Sequence, residues 1–390
     1  MYSFPMSIFC VLVYAGQAIS PSISSALVST GSGGWRLIFW FQGAFNLVVF
    51  IAMLLLLQET RGTVLLSRRA IQLSKETGKP HRTRADDERQ TVAIMVQTSL
   101  SRPFLYLTTE PICLAFSLFV GVAWALLFLS LTSVPIAFGR AYGYTGLQSS
   151  FVLLGIAVGG LIGWALQFHQ EYLYHRKAKS CGGKPPPEAR LTYPCVGAIL
   201  FPVGLFMYAW GTRPEVHPAV GIIGVIAFNT GVYWVYVGVF SFLSDVYERY
   251  ASSALAAQSW LRNLFAGVFP LFGVKMYEQL DAPIATTILA SISAALAIVP
   301  FGLYFYGDRL RKASRVARQL AKEEEEAAEF MANEREKTSR RQAKEERKRQ
   351  LALQTTPSSG LGPIAKDHLH DAPPAPSTPH QPARDPEKQS

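Results

Sequence analysis

Eight apolar stretches of membrane-spanning length punctuate the chain, and their spacing is uneven. They run from Ser3 to Ala26, Leu37 to Leu57, Ile112 to Ile136, Leu147 to Phe168, Pro194 to Gly211, Ala219 to Leu243, Ala254 to Gly273 and Ile284 to Tyr306. A hydrocarbon core about 30 Å thick needs roughly 20 apolar residues of helix, and most of these stretches supply them. Leu47 to Leu57 reads Leu-Val-Val-Phe-Ile-Ala-Met-Leu-Leu-Leu-Leu, apolar at every position, so a helix there has no face to turn to water. The pattern predicts an all-α membrane protein with eight spans, two before a long polar connection and six after it.

Mean hydropathy is only +0.19, because the polar segments 59–101 and 307–390 dilute the spans. Their basic residues set the orientation. Lys and Arg are dense from Arg61 to Arg102 and from Arg176 to Arg190, and Arg249 and Arg262 occur where the sixth and seventh spans join. The alternate connections hold little more than Arg36, Arg140, Arg213 and Lys275. The positive-inside rule places the first set, and both termini, in the cytoplasm. The formal net charge of +10 then reads as attraction to anionic inner-leaflet lipid and not as a nucleic-acid surface, with the cluster Arg309 to Lys322 next to the last span.

Five regions follow. Residues 1–58 hold two spans, 59–101 a cytoplasmic basic loop, 102–306 six spans, 307–350 a charged cytoplasmic helix and 351–390 a disordered tail rich in Pro, Ser and His. The first stretch is longer than a signal-peptide core and has no basic segment before it, so a secretory leader is not expected. Cys10, Cys113, Cys181 and Cys195 form no Cys-x-x-Cys pair, and free thiols without a metal are expected. The sequence has no phosphate-cradling loop and no nucleophile arrangement, so it offers nothing for catalysis or for a bound cofactor.

Several segments carry a family resemblance. Gly34-Trp35-Arg36-Leu37-Ile38-Phe39-Trp40 opens a span that is followed by Glu59-Thr60-Arg61, and Arg102-Pro103-Phe104 precedes Glu110-Pro111-Ile112. Pro187-Glu188-Ala189-Arg190-Leu191 comes next, then Ser244-Asp245-Val246-Tyr247, Tyr250 to Ala257, Arg262 and Phe269-Pro270-Leu271-Phe272. From Met1 to about Lys312 this order resembles the fungal drug and proton antiporter branch of the major facilitator superfamily. The eight spans then match that family's fifth to twelfth helices, with the basic loop joining two halves and the first four helices lacking. Ser20-Pro21-Ser22-Ile23-Ser24-Ser25 departs from the family's Gly-Pro-x-x-Gly-Gly.

The resemblance implies a plasma-membrane transporter that exports drugs, polyamines or other amphiphilic organic cations and is driven by a proton gradient. A scaffold or regulator that keeps the helices without transporting is the alternative. Asn229, Tyr233, Tyr236 and Phe240 recur on one helical face. Two readings of that stripe are open, a seam to a neighbouring helix or a cavity wall that touches solute. Glu110 is expected to exchange a proton or to hold a gate, and Asp245 with Arg262 or Arg249 to form a cytoplasmic latch. Gly155, Gly159 and Gly163, in two overlapping Gly-x-x-x-Gly units, are expected to pack helices closely.

Overall fold

A computed structural model describes residues 3–29, 34–81, 83, 92–180, 187–314 and scattered positions from 316 to 340. Contacts divide the chain into units 1–324 and 325–390. In the second unit only the helical positions 329, 334 and 338–340 are described, so the expected tail at 351–390 lies outside the described residues.

Among the described residues, every element of the first unit is helical. Helix α1 spans Ser3–Ser29, α2 Trp35–Leu56, α3 Gly62–Thr77, α4 Val92–Thr109, α5 Pro111–Tyr142, α6 Gly146–Val152 and α7 Leu154–Ser180. A 3₁₀ turn at Pro187–Leu191 leads into α8, Thr192–Gly211, followed by α9, Pro218–Tyr247. After a second 3₁₀ turn come α10, Ala251–Gln279, α11, Ala282–Leu296, and α12, Ile298–Ala313.

Helix ends follow local chemistry. Proline stands in the first turn of α5, α9 and α11, where its missing N–H has no helical partner to lose. Thr145 caps α6 in a capping box with Gln148, whose side chain accepts from the Thr145 N–H at 2.9 Å. Gly143 ends α5 at φ +69°, a left-handed conformation that glycine adopts without cost.

Seven segments among the described residues are long and apolar enough to cross a membrane: Met6–Ser29, Trp35–Leu56, Pro111–Tyr142, Gly146–Ser180, Pro187–Gly211, Pro218–Tyr247 and Ala282–Gly307. The stretch expected as the seventh of eight spans lies within α10, which has the length but is interrupted by Gln258, Arg262 and Asn263. Two of the apolar stretches are broken helices, one at Leu153 between α6 and α7 and one at Ala297 between α11 and α12. The basic connection expected as a loop holds two helices. One is α3, closed by Gly78 at φ +63°; the other is α4, which packs on α10 and α5.

Helix α9 lies at the centre, clasped by α7 on one side and α8 on the other. Glycines recur every seven residues on both helices of the second contact: Gly197, Gly204 and Gly211 on α8, Gly224, Gly231 and Gly238 on α9. Five of the six meet backbone, and Gly238 meets the Pro194 ring. A Cβ on Gly197 would lie 2.7 Å from the Gly231 carbonyl oxygen, one on Gly231 2.6 Å from the Phe201 nitrogen, and one on Gly211 2.9 Å from the Gly221 nitrogen. Lipid gives helices no hydrophobic reason to associate, so close approach and dispersion supply the attraction, and small residues permit it. Helix α2 differs, with no buried residue and large apolar side chains on every face, as lipid exposure requires.

The glycine ladder makes a stability prediction. Gly231→Val should lower the thermal midpoint of the detergent-purified chain by an amount equivalent to about 1–3 kcal/mol of overpacking. Gly267→Ala, where a Cβ meets nothing within 4 Å, should not lower the midpoint and is expected to raise it slightly, since alanine favours helix over glycine.

Candidate functional site

The stripe on α9 divides between two environments. Asn229 is fully buried and donates to the Val225 carbonyl at 2.8 Å, one turn back. It sits against Gly159, where a Cβ would lie 3.0 Å from that of Asn229. Tyr233 packs over Gly163 and donates its hydroxyl to the Ser7 carbonyl of α1 at 3.1 Å. Thr230 and Trp234 donate to the carbonyls of Gly159 and Gly163 at 3.1 and 3.0 Å. Gly155 meets Ile226 and Val225 in the same seam. This half of the stripe is a hydrogen-bonded contact of α9 with α7 and α1.

Tyr236 faces elsewhere. Its hydroxyl accepts from Arg262 Nη1 at 2.8 Å, and its ring lies 4.8 Å from that of Trp124 on α5. The Arg262 guanidinium sits over both rings, 4.8 Å from the Trp124 centroid and 5.3 Å from that of Tyr236. Tyr14 of α1 closes the group edge-on to Trp124 and Tyr233, at 6.2 and 5.7 Å. Phe240 continues the stripe half-buried, 6.3 Å from Tyr236.

These residues share a depth. Tyr14 is eleven residues from the Ser3 end of α1, Arg262 eleven from the Ala251 end of α10, and Tyr236 eleven from the Tyr247 end of α9. At 1.5 Å per residue each lies ~17 Å along its helix, and Trp124 lies ~20 Å along α5. A helix that crossed a core about 30 Å thick from that end would hold such a residue near its middle. Arg262 is also the one charged residue in the eight apolar stretches. Cation–π contact with two rings and a hydrogen bond to Tyr236 hold the half-buried guanidinium.

The expected latch between Asp245 and Arg262 is corrected by this geometry. Asp245 pairs with Arg190 of the first 3₁₀ turn, which also approaches Glu171 at 3.9 Å and covers the Tyr174 ring at 4.3 Å. Asp245 lies about two and a half turns beyond Tyr236 on α9, so it cannot reach the depth of Arg262. The Arg249 side chain lies outside the described residues. The composition around Arg190, Pro187-Glu188-Ala189-Arg190-Leu191, carried a turn signal but no pairing signal.

Glu110 is buried at the head of α5 and not open at a mouth. It accepts from the Ser314 hydroxyl at 2.6 Å, the Tyr247 hydroxyl at 3.3 Å and the Val316 backbone N–H at 3.2 Å. One carboxyl group thus gathers the start of α5, the end of α9 and the chain after α12. Cys10, Cys113 and Cys195 are buried free thiols, and Cys181 lies outside the described residues.

The family model described as Major Facilitator Superfamily matches residues 2–270. The chain belongs to the major facilitator superfamily. It is thus a multi-pass membrane protein of a transporter family and not of an enzyme family. It is 36% identical over 307 residues to the "Major facilitator superfamily multidrug transporter mdrA" of Aspergillus fumigatus, covering 76% of this chain and 51% of that protein. The "MFS-type efflux pump MFS2" of Trichophyton rubrum is 35% identical over 288 residues, 73% of this chain and 48% of that one. The "Major facilitator superfamily multidrug transporter FLU1" of Candida albicans is 32% identical over 323 residues, 80% and 52%. The chain spans about half the length of these relatives.

Two predictions follow from the pairings. In a double-mutant cycle read by thermal midpoint, Asp245→Asn and Arg190→Gln should be coupled by at least about 0.5 kcal/mol, while Asp245→Asn and Arg262→Gln should add within about 0.3–0.5 kcal/mol. Glu110→Ala should free the chain after α12, so that trypsin cleaves at Arg315 and Arg318 several-fold faster in detergent than in the unsubstituted protein.

Proposed function

We propose that this superfamily member works in the proton-coupled export of amphiphilic organic solutes, of the drug or polyamine kind, across a fungal plasma membrane with both termini cytoplasmic. The observation that carries this reading is the group around Arg262. A guanidinium, two tyrosines and a tryptophan from α1, α5, α9 and α10 meet at mid-depth, and transporters of this architecture bind solute near the midplane. The names of the relatives, multidrug transporter and efflux pump, support the direction.

In this reading α10 crosses the membrane as an eighth span, and the spans correspond to the family's fifth through twelfth helices. Tyr236 and Phe240 line the solute path, and Asn229 and Tyr233 hold the wall behind them. Glu110, with its three donors, and Asp245, with Arg190, are the carboxyl groups available to exchange protons or to gate. A groove of about 620 Å³ between α5 and α12, lined by Ile112, Val299 and Leu303 with Arg309 at its rim, suits an anionic inner-leaflet lipid beside the basic cluster.

The test is flux. Inverted membrane vesicles holding the full chain, given an imposed proton gradient, should accumulate a fluorescent amphiphile saturably, and collapse of the gradient should stop it. At matched protein levels Tyr236→Ala should reduce the rate at least about tenfold. A chain that folds and inserts yet shows no gradient-dependent flux would instead be a membrane scaffold or regulator.

A further inference from the structure

We infer that Arg262 receives the anionic group of the solute, so that this site takes amphiphilic organic acids and rejects amines of the same shape. The inference rests on the export reading above and narrows its substrate class to amphiphilic organic acids, setting polyamines aside. Its ground is the charge and hydrogen-bond balance of the site.

Arg262 supplies the one formal charge within the eight apolar stretches, and it is positive. Among the described residues it makes no ion pair, and its Nε–H, shielded from solvent, has no hydrogen-bond partner. The hydroxyl of Tyr14 is likewise buried without a partner. Gln258, one turn before Arg262 on the same face of α10, has a buried and unpartnered Nε2. Because arginine only donates, the Tyr236 oxygen is the acceptor in their bond, and the Tyr236 proton is free to be given elsewhere. The group thus offers donors from three helices and, among the described residues, no carboxylate to meet the guanidinium, although the Gln17 Oε1 of α1 is also buried without a partner.

A carboxylate, sulfonate or phosphate answers that imbalance. Such an anion accepts two parallel bonds from the fork of a guanidinium, and Arg262 is half-buried, so part of it faces open space. The guanidinium carbon lies over the rings of Trp124 and Tyr236 and Nη1 is bonded to Tyr236, which leaves the unpartnered Nε–H for an anion. An amphiphilic acid also brings an apolar body to aromatic walls. A primary amine or polyamine brings more donors and a like charge, and in a medium of low dielectric that repulsion is strong.

A matched pair of probes tests this. 1-Naphthaleneacetate and 1-naphthylmethylamine share a ring system and differ in charge, and equilibrium dialysis against the detergent-purified full chain at neutral pH measures each. The acid should bind saturably and the amine at least about tenfold more weakly. Arg262→Gln should remove acid binding, Arg262→Lys should restore part of it, Tyr14→Phe should weaken it several-fold without moving the thermal midpoint, and Tyr236→Phe should weaken it while lowering the midpoint through the lost bond to Arg262. Should Arg262→Gln fail to fold, the lysine and phenylalanine variants carry the comparison. Tighter binding of the amine, equal acid binding in Arg262→Gln, or no acid binding by a chain that still pumps a neutral amphiphile would overturn anion selectivity and leave the export reading standing. Loss of gradient-driven flux for every probe would overturn the export reading and this inference with it.

Discussion

The close approach of α8 and α9 is the contact on which the rest of the bundle depends. Apolar side chains gain nothing by leaving lipid for one another, so a membrane bundle coheres through dispersion at short range and through polar contacts. Glycines at seven-residue spacing on both helices bring backbones together that any side chain would hold apart. A second row, Gly155, Gly159 and Gly163, does the same for α7 on the other side of α9. Held from both sides, α9 has a fixed rotation about its axis.

That rotation decides which side chains serve structure and which are left for the proposed solute path. Asn229 and Tyr233 are spent on the seam with α7 and α1, while Tyr236, three residues further on, is turned toward α5 and α10. A Cβ at Gly163 would lie 2.6 Å from the Tyr233 ring, so a bulkier residue there would displace Tyr233 and with it the bond to Ser7. The site around Arg262 is therefore coupled to helix packing through one helix, and substitutions in the glycine rows are expected to reach it indirectly. At the other end of the bundle, Glu110 and the Arg190–Asp245 pair join helix ends, where partly buried charges find partners instead of lipid.

The fold class was legible in the sequence because the solvent is lipid. A stretch such as Leu47 to Leu57 has one stable environment, and intrahelical hydrogen bonding is the only way a single segment can satisfy its backbone there. Family membership was legible for a different reason: ordered short motifs such as Glu110-Pro111-Ile112 and Tyr250 to Ala257 sit at helix boundaries, where backbone geometry restricts composition. The breaks at Leu153 and Ala297 and the helices inside the basic connection were not legible, since apolarity reports burial in lipid and is blind to one turn of non-helical backbone. The heptad glycines were present in the sequence as a period of seven on two neighbouring spans, a signal that a search for Gly-x-x-x-Gly alone passes over.

The candidate site divides along the same line. By itself the sequence determined that Asn229, Tyr233, Tyr236 and Phe240 share a face and that Arg262 falls within an apolar stretch, because both follow from the 3.6-residue turn and the apolar pattern. Only the tertiary structure decided the partners: Asp245 went to Arg190 and Arg262 to Tyr236 and Trp124, and Glu110 took its donors from the ends of α9 and α12. The physical reason is reach. A charged group in lipid must find a partner within a few ångströms, and which groups lie that close is set by the depth and rotation of helices far apart in sequence, which no local pattern encodes.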